Sequence, residues 1–395
     1  MKNMMYIPSQ FGYAVDVDGF LPIITHPQFQ KLNGKRQTGI LYKTYPGVTH
    51  TRFEHSIGTF QIAQAITQHL DIPDIDARAV QAYALLHDIC HAPYSHNLEY
   101  VLENGHNGRA IAMVESMRET IEKSDVDCDR VLSLMKKQHP LYEVVKHKVL
   151  GADKLDWMFR DAHHVGRSDG PDAKNIIQHL IYDGNQIKVH ADGAAEVAKM
   201  QHHYSDMHTF LYYSQQYLSN QRMLQRAVQG AMHADEIDED TLVDMTDAEL
   251  DGVLARSSCP ETRHLSNHLH QDPTRYQPIV SIRIQPFNRQ EQHAVGVSKD
   301  TCMRFLDTYK SGAALSRLES ALGDDVLVTT IVDLERLTDP HDVRLHTGLT
   351  LFEYMPQLAQ SLEEAAYACF SIRAISPKDQ GIDEIQEKLL DALRT

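Results

Sequence analysis

Residues 85–96 read LLHDICHAPYSH and close a run, ARAVQAYALL, whose apolar side chains cover every face from Val80 to Leu86. A run apolar all round predicts a buried helix, and Pro93 predicts its end. An ionised Asp88 inside such a helix is costly unless it is paired or coordinated. His87 and His91 stand four residues apart, so they share one helix face. A cation held by His87 would leave His91 beside its open positions. Asp88 points about 100° away, so it shares that cation only if the ion lies between the two directions. Beyond Pro93 the chain can bring Ser95 and His96 back toward the same mouth.

Two other segments carry similar chemistry, HTRFEHS (50–56) and GADKLDWMFRDAHHVG (151–166). Three packed helices readily supply a four-ligand set of imidazoles and carboxylates to a divalent cation. His55, His87, Asp88 and Asp153 would form it. Plainer readings stand beside this one. The second His-Asp pair, His341-Asp342, falls in the loop TDPHDVRLH and carries no metal expectation. His163-His164 reads as a pair favoured by a helix C-terminus. Ser95 has no nucleophile elbow around it and reads as a solvent or capping serine. Arg52 suits a surface ion pair and a phosphate contact equally.

The chain has 395 residues, 42% hydrophobic and 23% charged, which is ordinary globular usage and excludes disorder and collagen-like repetition. Its length suggests two or three units at roughly 150 residues each. The formal net charge of −16 repels polyanions at long range, so extended nucleic-acid binding is not expected. A few local cations or one metal ion can still reverse the sign inside a cleft. Lys31, Lys35 and Arg36 read as ordinary solvated side chains. The 24 histidines exceed what solubility requires, and histidine is the commonest metal ligand. The 5 cysteines form no CxxC and read as reduced. Neither a signal peptide nor a run of about 18 apolar residues occurs, so a cytoplasmic protein without a membrane segment is expected.

Residues 1–25 read as a hairpin or irregular arm. Residues 26–240 read as almost wholly helical, with 196–233 one long stretch. Residues 241–395 read as a smaller α+β module, with strands near 280–284, 326–334 and 368–375, and helices at about 300–321, 356–367 and 382–393. Loops near 256–276 and 286–298, rich in His, Asn, Gln and Pro, read as its flexible parts. The expected fold class is mainly α.

Taken in order, PQFQKL (27–32), YPGVTHTRFEHSIG (45–58), LLHDICHAPYSH (85–96) and ADKLDWMFRDAHHVG (152–166) resemble the HD-domain phosphohydrolases, and within them the deoxynucleoside triphosphate triphosphohydrolase branch of the SAM- and HD-domain-containing type. The resemblance covers about residues 20–235 and implies an HD domain over 26–240; no SAM domain is expected. It implies His55, His87, Asp88 and Asp153 as metal ligands, with Mg, Mn, Fe or Zn as the ion. It implies His91 as a catalytic histidine beside the scissile phosphate and Glu99 as its partner, where the family has Asp. His106 is similar to a further catalytic histidine, although Asn107 follows it where the family has Glu. Arg52 and Lys154 match phosphate contacts, His96 a substrate contact, Gln37 a sugar-reading glutamine and Asp161 a position near the sugar 3′-hydroxyl. Trp157 departs from the usual Tyr. Tyr213 and Tyr217 match walls of the nucleoside pocket. Effector-activated members carry an Asp and an Arg where Thr25 and Asn33 stand, so activation by a guanine nucleotide is not expected. The resemblance also implies a homo-oligomer.

The expected reaction is hydrolysis of a dNTP to deoxynucleoside and inorganic triphosphate. A metal ion would polarise the α-phosphoryl oxygen and activate water, Arg52 and Lys154 would neutralise the triphosphate, and His91 would protonate the leaving 5′-oxygen from a ring titrating near neutral pH. The alternatives are an HD-type phosphodiesterase or nucleotidase on another nucleotide, and a catalytically silent nucleotide-binding regulator.

Overall fold

The structure is a computed structural model, and it describes residues 3–99, 101–102, 106–167, 170, 172–284, 294–309, 311–323, 325–330, 341–378 and 381–394. The arm is a hairpin, with β1 (Met4–Tyr6) antiparallel to β2 (Ala14–Asp16). Two long helices that pack on each other come next. In α1 (Arg52–His69), the Thr51 hydroxyl accepts from Glu54 N as an N-cap, and Asp71 at φ 50° turns the chain after the last residue. In α2 (Asp74–Leu86), Asp74 and Asp76 favour the positive end of the helix dipole. The helix stops at Leu86 rather than near Pro93. Ile89 N bonds Leu86 O and His91 N bonds Asp88 O, so the chain tightens into turns, and the ring of His87 bonds the Ala84 carbonyl. His87 and His91 are therefore related by a turn and not by a helix face, and each approaches Asp88 Oδ1, at 3.3 and 3.4 Å.

The body continues through α3 (His106–Ser116), α4 (Cys128–Met135) and a short helix, Glu143–Lys146, to α5 (Ala152–His164), which packs on α1. The strands β3 (Leu180–Tyr182) and β4 (Ile187–Val189) make a second antiparallel hairpin. The stretch expected as one helix over 196–233 is two: α6 (Ala194–Met207) runs into a π-helical turn at His208–Tyr212, and α7 (Gln215–His233) starts afresh. A π turn inserts residues into the helical ladder and re-aims the side chains that follow.

After α8 (Asp247–Arg256) comes α9 (Pro260–Gln271), where a flexible loop was expected. Its polar face hid the buried stripe of Thr262, Leu265, Ser266 and Leu269, which packs on α7. A four-stranded sheet follows, in the order β6-β5-β8-β7. Here β5 (Gln277–Ile284) pairs parallel with β6 (Ala294–Val297) and antiparallel with β8 (Ser371–Ser376), which also pairs with β7 (Leu327–Thr330). Residues 286–293 and 331–334 of the expected loop and strand lie outside the described residues. The helices α10 (Lys299–Thr308), α11 (Gly312–Leu322) and α13 (Ile382–Arg394) pack together, while α12 (Pro356–Cys369) packs on α6. The fold is mainly α with a smaller sheet-containing C-terminal part, as the sequence suggests.

Buried polar bonds fix α7 between these parts. Asn97 accepts from Ile40 N at 2.8 Å and donates to Tyr217 Oη at 2.8 Å, and Gln225 Nε2 donates to the Asn97 carbonyl at 2.8 Å. Arg222 donates to both oxygens of Glu319 on α11 at 2.7 Å each. Gly39, at φ 58°, lies against Asn97, and a Cβ there would fall 1.8 Å from Asn97 Oδ1, so glycine is required.

Candidate active site

Three elements converge. His55 lies in the first turns of α1, His87 follows α2, and Asp153 is in the first turn of α5. His55 Nε2 is 3.2 Å from His87 Nε2 and 3.2 Å from Asp153 Oδ1, and these three ligand atoms lie within 4.8 Å of one another. Asp88 joins from the side, with Oδ1 3.3 Å from His87 Nε2 and Oδ2 3.6 Å from His55 Nε2. Behind the rings, His55 Nδ1 bonds Asp156 Oδ2 at 2.8 Å and His87 Nδ1 bonds Ala84 O at 2.7 Å. A carboxylate and a carbonyl only accept, so each Nδ1 carries the hydrogen and, in the neutral rings, both Nε2 lone pairs face a common point. That tautomer is the one a metal-ligating histidine uses. The donor set fits a divalent cation of the Zn, Fe, Mn or Mg class.

Asp156 and Arg160 form the support that the sequence reading missed. Arg160 grips Asp156 with Nε at 2.8 Å and Nη2 at 2.7 Å, and its Nη1 reaches Glu54 at 2.6 Å. Gly58 makes room for this pair, since a Cβ there would lie 2.0 Å from Asp156 Oδ1.

Charges in the cluster are closely balanced. Burial opposes protonation of His55, yet the hydrogen bonds and charges of Asp153 and Asp156 outweigh it and raise the ring to about 9 in the metal-free protein. Burial would push Asp88 up, but the neighbouring His87, Arg52, His91 and Lys146 hold it well below the usual carboxylate range. Asp153 is held low in the same way, chiefly by Lys146. His91 departs from the expectation of a ring titrating near neutral pH: burial, reinforced by Arg52, holds it well below the usual imidazole range against the pull of Asp88 3.4 Å away.

Lysines depart from the sequence reading as well. Lys35 is 3% exposed rather than solvated, and its ammonium donates to the carbonyls of His91 at 2.6 Å and Val243 at 2.8 Å. Lys146, which the sequence reading did not single out, lies 2.7 Å from Asp153 Oδ2 and 3.7 Å from Asp88 Oδ1. No spacing rule marks either one, because each is defined by partners distant in sequence or by a turn.

The cluster opens into a cavity of ≈ 1230 Å³. Gln37, Arg52, His91, His96, Glu99, Lys154, Trp157, Asp161, Tyr213 and Tyr217 all line it. The side chain of His106, at the start of α3, lies outside the described residues. Arg52 is 1% exposed; it pairs with Asp88 through Nη1 and donates to Ser95 Oγ from Nε at 2.8 Å, while Nη2 has no partner. The neighbouring Gln37 Oε1 and Thr38 Oγ1 are likewise buried without a partner. Ser95 passes its own hydrogen to Arg36 O at 2.6 Å and so has a structural part. Glu99 accepts from His96 Nδ1 at 2.7 Å, and the His96 ring meets His91 edge-on at 5.0 Å. Lys154 places its ammonium 3.9 Å from the ring centre of Tyr204 and 4.9 Å from that of Trp157. Asp161 accepts from Tyr212 Oη and lies 2.7 Å from His50 Nε2. Tyr212 comes from the π turn, and the sequence reading missed it along with Tyr204 and His208, which also line the cavity.

The HD domain family matches residues 52–240 of this chain. An uncharacterized protein of Methanocaldococcus jannaschii, MJ1154, is 25% identical over 93% of the chain and 77% of its own length. The deoxynucleoside triphosphate triphosphohydrolase SAMHD1 of Gallus gallus is 28% identical over 42% of the chain, and that of Homo sapiens 29% over 40%. The chain spans 34% of the Gallus gallus and 32% of the Homo sapiens protein. Among solved structures, a hypothetical protein from Aquifex aeolicus superposes with a TM-score of 0.74 at 20% identity, covering 98% of this chain and 100% of that one. A phosphohydrolase from Bacteroides thetaiotaomicron gives 0.71 at 20% identity over 95% and 100%. These two likenesses establish the shared fold. With the histidine and aspartate cluster inside the matched segment, residues 52–240 of this chain form an HD domain of the phosphohydrolase type.

Proposed function

We propose that this HD-domain phosphohydrolase hydrolyses deoxynucleoside triphosphates to deoxynucleoside and inorganic triphosphate. The observation that carries the reading is the group of three buried polar atoms without partners, Arg52 Nη2, Gln37 Oε1 and Thr38 Oγ1, on the wall of the cavity that Asp88 and Asp153 of the His-Asp cluster also line. Buried polar groups are nearly always paired, so these await a ligand that both accepts and donates hydrogen bonds, as a phosphorylated sugar does. His55, His87, Asp88 and Asp153 would hold the metal ion. When bound, that ion supplies Lewis acidity at the phosphoryl group and a water of lowered pKa.

The chain's own residues account for the remainder. Arg52 donates from Nη2 to an α-phosphoryl oxygen while Asp88 and Ser95 fix its plane. Lys154 swings from the face of Tyr204 to the outer phosphates. Water loses one proton to solvent as its oxygen bonds the α-phosphorus, the bond from that phosphorus to the 5′-oxygen breaks, and the 5′-oxygen takes a proton that His91 has drawn from solvent. Because His91 rests neutral, it takes up that proton only when the anionic triphosphate faces it and offsets Arg52. Asp161, steadied by Tyr212 and His50, keeps free lone pairs for a sugar hydroxyl, and Tyr213 and Tyr217 flank the nucleoside.

The decisive assay incubates the protein with each dNTP and rNTP in turn, with Mg, Mn, Fe or Zn, and resolves the products by anion exchange. Triphosphate with nucleoside supports the reading; pyrophosphate with monophosphate overturns it. A second reading, an HD phosphodiesterase on a larger nucleotide, draws on the size of the cavity, which exceeds the about 300–1,000 Å³ of ordinary ligand sites and continues to Ser311, the N-cap of α11, and to Ser316 and Ser320 on that helix. The family resemblance implies a homo-oligomer, which light scattering would size, and a cytoplasmic location is proposed with it. Among the described residues no helix is long and apolar enough to cross a membrane.

A further inference from the structure

Asp153 divides its two oxygens. Oδ1 faces the ligand cluster, 3.2 Å from His55 Nε2 and 3.6 Å from His87 Nε2, whereas Oδ2 is held by the ammonium of Lys146 at 2.7 Å. The same ammonium stands 3.7 Å from Asp88 Oδ1, so it bridges both carboxylates of the candidate metal centre. Two-metal phosphoryl-transfer sites hold their ions about 3.5–4 Å apart across shared carboxylates. A bridging role for Asp153 would need Oδ2 for the second ion, and Lys146 already has it. Lys146 is 31% exposed and lines the cavity, so its charge also faces whatever occupies the cleft.

We propose that Lys146 is a built-in cation in the place a second divalent ion would take, so that the centre holds one metal ion per chain and the protein supplies the other positive charge itself. This inference rests on the metal-site reading above. Its geometry is local: Lys146 ends the short helix Glu143–Lys146, and Asp153 lies in the first turn of α5 seven residues later, so the pair is set by the intervening turn. Arg52 supplies the matching charge on the opposite oxygen of Asp88. Asp153 therefore has a fixed cation on the oxygen away from the histidines, while each oxygen of Asp88 faces a histidine and a cation together: Oδ1 lies 3.3 Å from His87 Nε2 and 3.7 Å from the Lys146 ammonium, and Oδ2 lies 3.6 Å from His55 Nε2 and pairs with Arg52.

The test counts ions without reference to activity. The protein is stripped with chelator, reloaded with excess Mn(II), desalted and analysed for manganese per chain, with electron paramagnetic resonance reporting whether the ions are spin-coupled. The expected result is one uncoupled Mn(II) in the natural protein and two coupled ions in Lys146→Glu, which replaces the ammonium with a ligand. Lys146→Gln, similar in length and neutral, serves if the charge reversal prevents folding, and it is expected to admit a second, more weakly held ion. Two coupled ions in the natural protein, or a single ion in every folded variant, would overturn the role of Lys146. No bound ion at all in the natural protein would instead overturn the metal site itself.

Discussion

The Nε2 atoms of His55 and His87 face each other at 3.2 Å while the opposite nitrogen of each ring is tied down, one to Asp156 and the other to the Ala84 carbonyl. This arrangement aims two lone pairs at one point, and Asp156 is the part of it most open to mutation. Asp156→Asn keeps the size and removes the charge that fixes the His55 tautomer. Loss of such an outer partner typically weakens metal binding about 10- to 100-fold. Competition with a chromophoric chelator checks this; an unchanged affinity would show that Asp156 serves only the fold through Arg160.

Metal affinity is expected to depend steeply on pH. In the metal-free protein His55 is raised to about 9, so its protonated form contributes stability that is fully present below the ordinary pKa of about 6.5 and is lost as pH rises through 9. Metal must displace that proton, so apparent affinity weakens by up to about tenfold for each pH unit below 9. Titrations between pH 6.5 and 9 read the slope, and a flat profile contradicts it.

Arg52→Gln removes the guanidinium with the free Nη2 and also strips Asp88 of its partner. A charge-assisted hydrogen bond contributes about 1.5–3 kcal/mol, so kcat/KM is expected to fall roughly 10- to 100-fold. Arg52→Lys should recover little, because one ammonium cannot hold Asp88 and Ser95 and still face substrate. Full activity in Arg52→Lys would show that charge alone matters.

Lys35 gives a prediction about stability. Its buried ammonium is lowered to about 8, chiefly by desolvation, so between pH 8 and its unfolded value near 10.4 the unfolded chain binds more protons and folding strengthens as pH rises. Lys35→Met leaves the carbonyls of His91 and Val243 without this donor and costs roughly 2–4 kcal/mol near pH 9.5. Urea unfolding at pH 7.5 and 9.5 should show the gap between the two proteins widening with pH. A gap that narrows would mean the ammonium stabilises the fold outright.

What the sequence made legible was chemistry attached to residue type and order. The succession of His55, the His87-Asp88 pair and Asp153 stood out because an acid at the end of an apolar run needs a reason, and the structure gathers these side chains into one cluster whose two aspartates line the cavity. Lys146 and Lys35 were invisible for the opposite reason: in YEVVKHK and LNGKRQ a lysine reads as a solvated charge, and only tertiary neighbours reveal burial. The single long helix expected over 196–233 failed at the π turn, since a hydrophobic period does not register an inserted residue, and Tyr212 was lost with it. The loop expected over 256–276 failed because α9 keeps its apolar side to a few positions among many polar ones.

The central claim is attack on the α-phosphorus with release of intact triphosphate, and hydrolysis of a dNTP in 18O-labelled water tests it most directly. Phosphorus NMR and mass spectrometry should find one heavy oxygen in inorganic triphosphate and none in the deoxynucleoside. Label in a nucleoside monophosphate or in orthophosphate would place the cleavage elsewhere along the chain of phosphates and contradict the account.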